Sequence, residues 1–261
     1  MATALIFGIT ASSAFIIGVL IGLFTTPPKR VVAAILAFGG GILVSALSFE
    51  LVSEASEKGT TAFVVGGFLS GAVIYVAIAV VLDRLAARSP KREGRHADDV
   101  VPEAHRKPES TEVATVSGIA LLAGTVLDGI PENAAIGISL LAEGRGLGIV
   151  LLAAVFLSNL PNTITSTIGM RQEGRSSAFI LSVWTIVAVA CTLSAVAGYA
   201  LLGGLPQNLV AAMLALAAGS ILAMLADTVF PEAFENGGPL VALATAVGFA
   251  TALVLADVAG A

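Results

Sequence analysis

Two stretches of this 261-residue chain carry side chains able to do chemistry inside an apolar surrounding. The first is Leu127-Asp128-Gly129-Ile130-Pro131-Glu132-Asn133, where Asp128 and Glu132 are spaced i, i+4 and share one helical face. The second is Ser158-Asn159-Leu160-Pro161-Asn162-Thr163, where Asn159 and Asn162 are spaced i, i+3. Each stretch holds a proline, which donates no backbone hydrogen bond and disturbs the carbonyl four residues earlier, Leu127 in one and Leu157 in the other. Carboxylates, amide oxygens and loosened carbonyls together form an oxygen-rich set suited to a divalent cation. A charge at mid-bilayer costs about 2.5–3.5 kcal/mol, so an intramembrane acid points to function. The plainer account is a protonated acid pair bonding neighbouring helices, which a single acid fits better than two acids with a proline. Ser158, Thr163 and Ser166 serve equally well as interhelical hydrogen-bond partners, whereas the two asparagines favour a functional role.

The surroundings of these stretches are apolar. Hydrophobic residues make up 57% of the chain and charged residues only 12%, against about 25% charged in a soluble domain. An all-α integral membrane protein follows, a single transmembrane domain over 1–261. Met1 to Phe24 lacks a basic leader and reads as a first span rather than a signal peptide. The lone cysteine, Cys191, excludes an intrachain disulfide and a thiolate metal cluster. Both histidines, His96 and His105, fall in a polar segment, so no Ser/His/Asp or Cys/His grouping is possible within the membrane. No phosphate-binding glycine loop and no basic, aromatic-interleaved surface is present, which argues against an enzyme with a bound cofactor and against nucleic acid.

Eight apolar runs are long enough to span a bilayer, at 4–24, 31–52, 62–86, 115–141, 146–169, 177–203, 207–230 and 239–258. The prolines are expected to break spans 4 and 5. The polar segment 87–114 has the composition of a disordered loop. Eleven of the thirteen Lys and Arg residues flank the connections after spans 1, 3, 5 and 7, leaving Lys58 and Arg145 on the other side. By the positive-inside rule both termini are extracytoplasmic and the 87–114 loop is cytoplasmic, in a multi-pass protein of the cell membrane. Val32–Ala55 aligns without gaps on Val210–Ala233, with nine of 24 positions identical, and Gly67-Phe68 matches Gly248-Phe249 after a short insertion. Spans 2 and 7 run in opposite directions in this topology, so the repeat is inverted, a pattern of carriers that bind at the midplane. Glu50 and Glu54 end span 2, whereas Asp227 and Glu232 lie toward the end of span 7. Glu54 and Glu232 are repeat equivalents, one per mouth, placed to pass a cation along the pathway or simply to be solvated at helix ends.

This arrangement resembles the ZIP (Zrt/Irt-like) family of divalent-metal transporters. The likeness rests on eight spans, outside termini, a long loop after span 3, proline-bearing spans 4 and 5, and the endings Glu54-Ala55 and Phe230-Pro231-Glu232-Ala233. The resemblance implies a binuclear metal site built from spans 4 and 5, and a dimer. Its span 4 His, Asn and Glu positions fall on Asp128, Gly129 and Glu132, and its span 5 ligands fall on Ser158, Asn159 and Asn162. Both imidazole positions are therefore replaced, and one bridging carboxylate has become Asn162. Among zinc, manganese, iron and magnesium, this oxygen donor set suits the harder Mn²⁺, Mg²⁺ or Fe²⁺ better than Zn²⁺. The expectation is a carrier moving a divalent cation toward the cytoplasm, with Asp128, Glu132, Asn159, Asn162 and Ser158 holding it. The alternatives are a regulatory or metal-sensing membrane subunit that has lost transport, and a carrier for protons or a non-metal solute.

Overall fold

A computed structural model of the chain describes residues 1–88, 118–140, 145–202 and 205–259. Among the described residues every regular element is a helix, because a backbone surrounded by lipid must satisfy its own hydrogen bonds. In chain order these are α1 (Ala2–Phe24), α2 (Lys29–Ala46), α3 (Val52–Lys58), α4 (Thr61–Arg88), α5 (Gly118–Ser139), α6 (Arg145–Gln172), α7 (Ser177–Leu202), α8 (Gln207–Met224), α9 (Phe230–Gly237) and α10 (Leu240–Ala259). A π-helical turn at Leu47–Leu51 joins α2 to α3, and another at Leu225–Val229 joins α8 to α9. Seven spans among the described residues are long and apolar enough to cross a membrane. The chain is thus an all-α, multi-pass membrane protein. The expected loop at 87–114 lies outside the described residues apart from its first two, which belong to α4, and so do His96 and His105.

The helices depart from the expected spans in two ways. Pro131 and Pro161 lie inside continuous helices, with no break in α5 or α6. A polar side chain two residues after each proline adds a hydrogen bond to the carbonyl two residues before it: Asn133 Nδ2 donates to Gly129 O at 2.8 Å, and Thr163 Oγ1 donates to Asn159 O at 2.8 Å, neither being the carbonyl that the proline leaves without its donor. The irregularity sits instead in the two π-turns, each one following an 18-residue helix. Counting apolar residues also ends spans 2 and 7 too early. They continue as helix to Lys58 and Gly237, giving 30 and 31 residues, because acids at a bilayer surface end an apolar run without ending a helix. The second of these stops at Gly238, whose φ of +66° is a conformation that side chains bearing a Cβ rarely adopt.

Contacts along the α2–α3 and α8–α9 rods show that they run antiparallel. Ala33 meets Gly237, Gly40 meets Phe230, and Gly59 meets Ala211. α4 packs along α8, and α10 packs along α2. α6 lies on α2 where Gly39 faces the backbone of Leu157 and Ser158. α5 lies against α6 and touches α8, so α2, α5, α6 and α8 enclose the centre. α1 and α7 flank α5 and α6, and a second core forms there around Phe15, Trp184, Met170 and Cys191. Arg171 Nη1 ties the end of α6 to the end of α1, donating to Gly22 O at 3.0 Å and Leu23 O at 2.7 Å. A cation so placed also complements the negative end of the α1 dipole.

Candidate functional site

The two chemistry-bearing stretches meet at the α5–α6 contact. Glu132, on α5, is 1% exposed and accepts a hydrogen bond from Asn159 Nδ2 at 2.9 Å. The same amide nitrogen donates to Val155 O at 2.9 Å, which holds Asn159 against its own helix. Ser158, next to it, is buried and donates through Oγ to Val155 O at 3.1 Å. A hydroxyl that donates once keeps its acceptor lone pairs, so Ser158 retains ligand capacity. Asn162 lies one turn further along, and its Oδ1 is buried with no hydrogen-bond partner among the described residues. A buried amide oxygen without a donor is costly and is the group a bound cation would satisfy.

Asp128 belongs to α5 one turn before Glu132; its side chain lies outside the described residues. Among the described residues no three His, Cys, Asp or Glu side chains gather. The contact made directly across the seam is one carboxylate, Glu132, with one amide, Asn159, and Ser158 and Asn162 flank that amide on α6. Asn159 meets Glu132 as a hydrogen-bond donor, the second of the two roles its amide offers. To act as a ligand it must turn its oxygen toward the cation.

A cavity of about 410 Å³ occupies one end of the molecule. Its polar lining includes Lys29, Thr165, Gln172, Glu232 and Asn236, with Val32 and Leu36 on its apolar side. Thr165 lies one turn beyond Asn162 on α6, so the cavity and the central polar seam share a helical face. Glu54 is at the opposite end, where it pairs with Lys58 at 2.9 Å. There Asn208 Oδ1 accepts the Thr60 backbone N–H at 3.1 Å and joins α8 to the start of α4. Asp227 is exposed on its π-turn, and its neighbour Thr228 is hydrogen bonded to Tyr75 at 3.1 Å.

Three further buried polar residues have no role in the sequence reading, although Glu50 is named there at the end of span 2 and Asn133 closes the first stretch. Asn133 is fully buried, and its Oδ1 has no hydrogen-bond partner among the described residues. Thr167 Oγ1 is in the same condition on α6. Glu50, in the first π-turn, is 5% exposed, and its Oε2 has no partner among the described residues. The signal for Asn133 was its place in the first marked stretch, and that for Thr167 was its position next to Ser166, just beyond the second. Nothing local in the sequence separates a buried Glu50 from a solvated one. No protein-family model matches this chain, and neither does any curated protein.

Proposed function

We propose that the chain is a ZIP-like secondary carrier that moves a divalent metal cation across the membrane toward the cytoplasm. The observation that carries this reading is the buried Glu132 carboxylate at the α5–α6 seam, hydrogen bonded to Asn159, with Asn162, one turn beyond Asn159 on α6, holding a buried Oδ1 that has no partner among the described residues. A carboxylate held that deep among polar groups suits a transient cation better than it suits stability. Asp128, on the same helical face by register, supplies the second carboxylate. Ser158, Asn159 and Asn162 complete an oxygen donor set for Mn²⁺, Mg²⁺ or Fe²⁺, with Zn²⁺ less well served.

The architecture adds support. In this reading α5 is the eighth span, and the α2–α3–α4 and α8–α9–α10 units are inverted repeats. The π-turns begin at Leu47 and Leu225, 178 positions apart, which is the offset of the sequence alignment. Close contacts repeat as well, at the same offset on α2 and α8 and at an offset one residue shorter, 177, between α4 and α10. Gly41 packs on the Thr245 carbonyl as Gly219 packs on that of Phe68, and Gly248 packs on Phe38 as Gly71 packs on Leu216. These contacts pair Gly71, rather than Gly67, with Gly248. The cavity at Glu232 serves as the cytoplasmic vestibule, and the Glu54 end is the outer mouth.

Purified protein in proteoliposomes should take up Mn²⁺ or another divalent cation along its gradient, and Asp128→Ala with Glu132→Ala should abolish that uptake. Uptake of no divalent cation, or uptake that survives the double change, would sink the proposal. One observation favours the alternative of a regulatory or metal-sensing subunit: Glu132 is already engaged by an amide N–H from Asn159. Calorimetry with several metals separates the two. Stoichiometric binding lost in Glu132→Ala supports the carrier when uptake accompanies it and a metal-sensing subunit when it does not, and no binding supports a regulatory subunit.

A further inference from the structure

The two ends of the molecule carry unequal charge at equivalent positions. At the offset that aligns the π-turns, Glu54 matches Glu232, but Lys58 matches Asn236 and Glu50 matches Thr228. Lys58 Nζ pairs with Glu54 Oε1 at 2.9 Å, whereas Asn236 only donates to the Glu232 backbone carbonyl at 2.9 Å. Thr228 is satisfied by Tyr75 at 3.1 Å, whereas the Glu50 Oε2 is buried with no partner among the described residues. Glu50, Glu54 and Lys58 follow one another at four-residue spacing across the π-turn and α3, so they stack along one side of the rod. Side-chain exposure of the ion pair is 23% for Lys58 and 14% for Glu54, and residue exposure falls to 5% at Glu50. α8, which packs on α3, brings no charged residue anywhere between Gln207 and Met224.

We propose that Lys58 is a tethered cation that occupies the Glu54 station at one mouth, and that an arriving divalent cation displaces it to reach the buried Glu50. The proposal rests on the carrier reading. It assigns Glu50 as a transit carboxylate and Lys58 as the residue that sets how readily this mouth accepts cations. A plain helix-stabilising pair at i, i+4 would explain the Lys58–Glu54 contact alone. It leaves unexplained a desolvated acid one turn deeper whose Oε2 has no donor among the described residues.

The test uses the full chain and Mn²⁺ at constant ionic strength, made up with Na⁺. In micelles, an amine-directed acetylating reagent is applied with and without Mn²⁺, and modification of Lys58 is read by mass spectrometry against Lys91 and Lys107. Mn²⁺ should raise the Lys58 rate at least threefold and saturably, and Glu50→Gln should remove that response. In proteoliposomes, Lys58→Asn should lower the apparent KM for Mn²⁺ at least threefold with Vmax within twofold. The exposed control Glu57→Gln should leave KM in place, because a general surface-charge effect would move both. A wild type that transports Mn²⁺ while Lys58 labelling ignores it, or an unchanged KM in Lys58→Asn, overturns the proposal. Labelling that responds in a protein that moves no cation upholds the displacement and overturns the carrier reading instead. A protein that shows neither response loses both.

Discussion

The site turns on how three side chains divide their hydrogen bonds. Asn159 spends one amide nitrogen on both Glu132 and Val155, so its loss removes a donor from a buried carboxylate. Asn159→Ala should cost about 1–3 kcal/mol, read as a lower midpoint of thermal unfolding in detergent. An unchanged midpoint would mean that Glu132 is held by other groups. Glu132→Gln keeps the shape and the Asn159 contact but removes the charge. It should reduce Mn²⁺ uptake at least tenfold while the folded yield holds, and uptake close to wild type would take Glu132 out of the site. Asn162 offers a gain-of-function test. Asn162→Glu places a carboxylate where the buried Oδ1 lacks a partner among the described residues. It should tighten Mn²⁺ binding at least threefold by calorimetry, and an unaltered Kd would remove Asn162 from the ligand set. The residue types at these positions were readable because acids and amides in an apolar run stand out. Their pairing was not, since which amide faces which acid depends on how α5 and α6 are rotated.

At the scale of elements, the prolines misled and the glycines informed. Proline reads as a helix breaker, yet both helices continue through it, because withholding one backbone bond does not end a helix whose other backbone groups have only one another as partners in lipid. The π-turns have no residue-level signature, and only the repeat relates one to the other. Gly39 lets α2 approach α6. A Cβ there would lie 2.9 Å from the Ser158 nitrogen and from the Leu157 carbonyl carbon, backbone atoms that cannot swing aside. Gly39→Ala should therefore cost about 1–3 kcal/mol through overpacking. It should also separate the α2 rod from the polar seam, lowering both the unfolding midpoint and Mn²⁺ uptake. Retention of both would show that the α2–α6 contact is loose.

At the scale of the molecule, the proposed topology makes an accessibility prediction. Cys191 is buried, so single cysteines introduced elsewhere can be labelled over a low background. With the Glu232 cavity as the cytoplasmic vestibule, Asn236→Cys should react only with an impermeant thiol reagent applied from the side of the 87–114 segment. Ser56→Cys, near the exposed Glu57, should react only from the other side. Labelling of both from one side would refute the inverted arrangement. The antiparallel rods and the unequal charge at their ends make this a property of the whole fold rather than of any helix.

The amino-acid sequence by itself determined the helical membrane class, seven of the approximate spans and the residue types of the seam. Those features follow from hydropathy and periodicity, which are local along the chain. The tertiary structure alone decided that Glu132 meets Asn159, that Glu50 is buried while Asp227 is exposed, and that the irregular turns lie in the α2–α3 and α8–α9 rods. Burial and partnership depend on how helices distant in sequence rotate and approach one another. That geometry is set by close contacts such as Gly39 on Ser158, which local patterns do not encode.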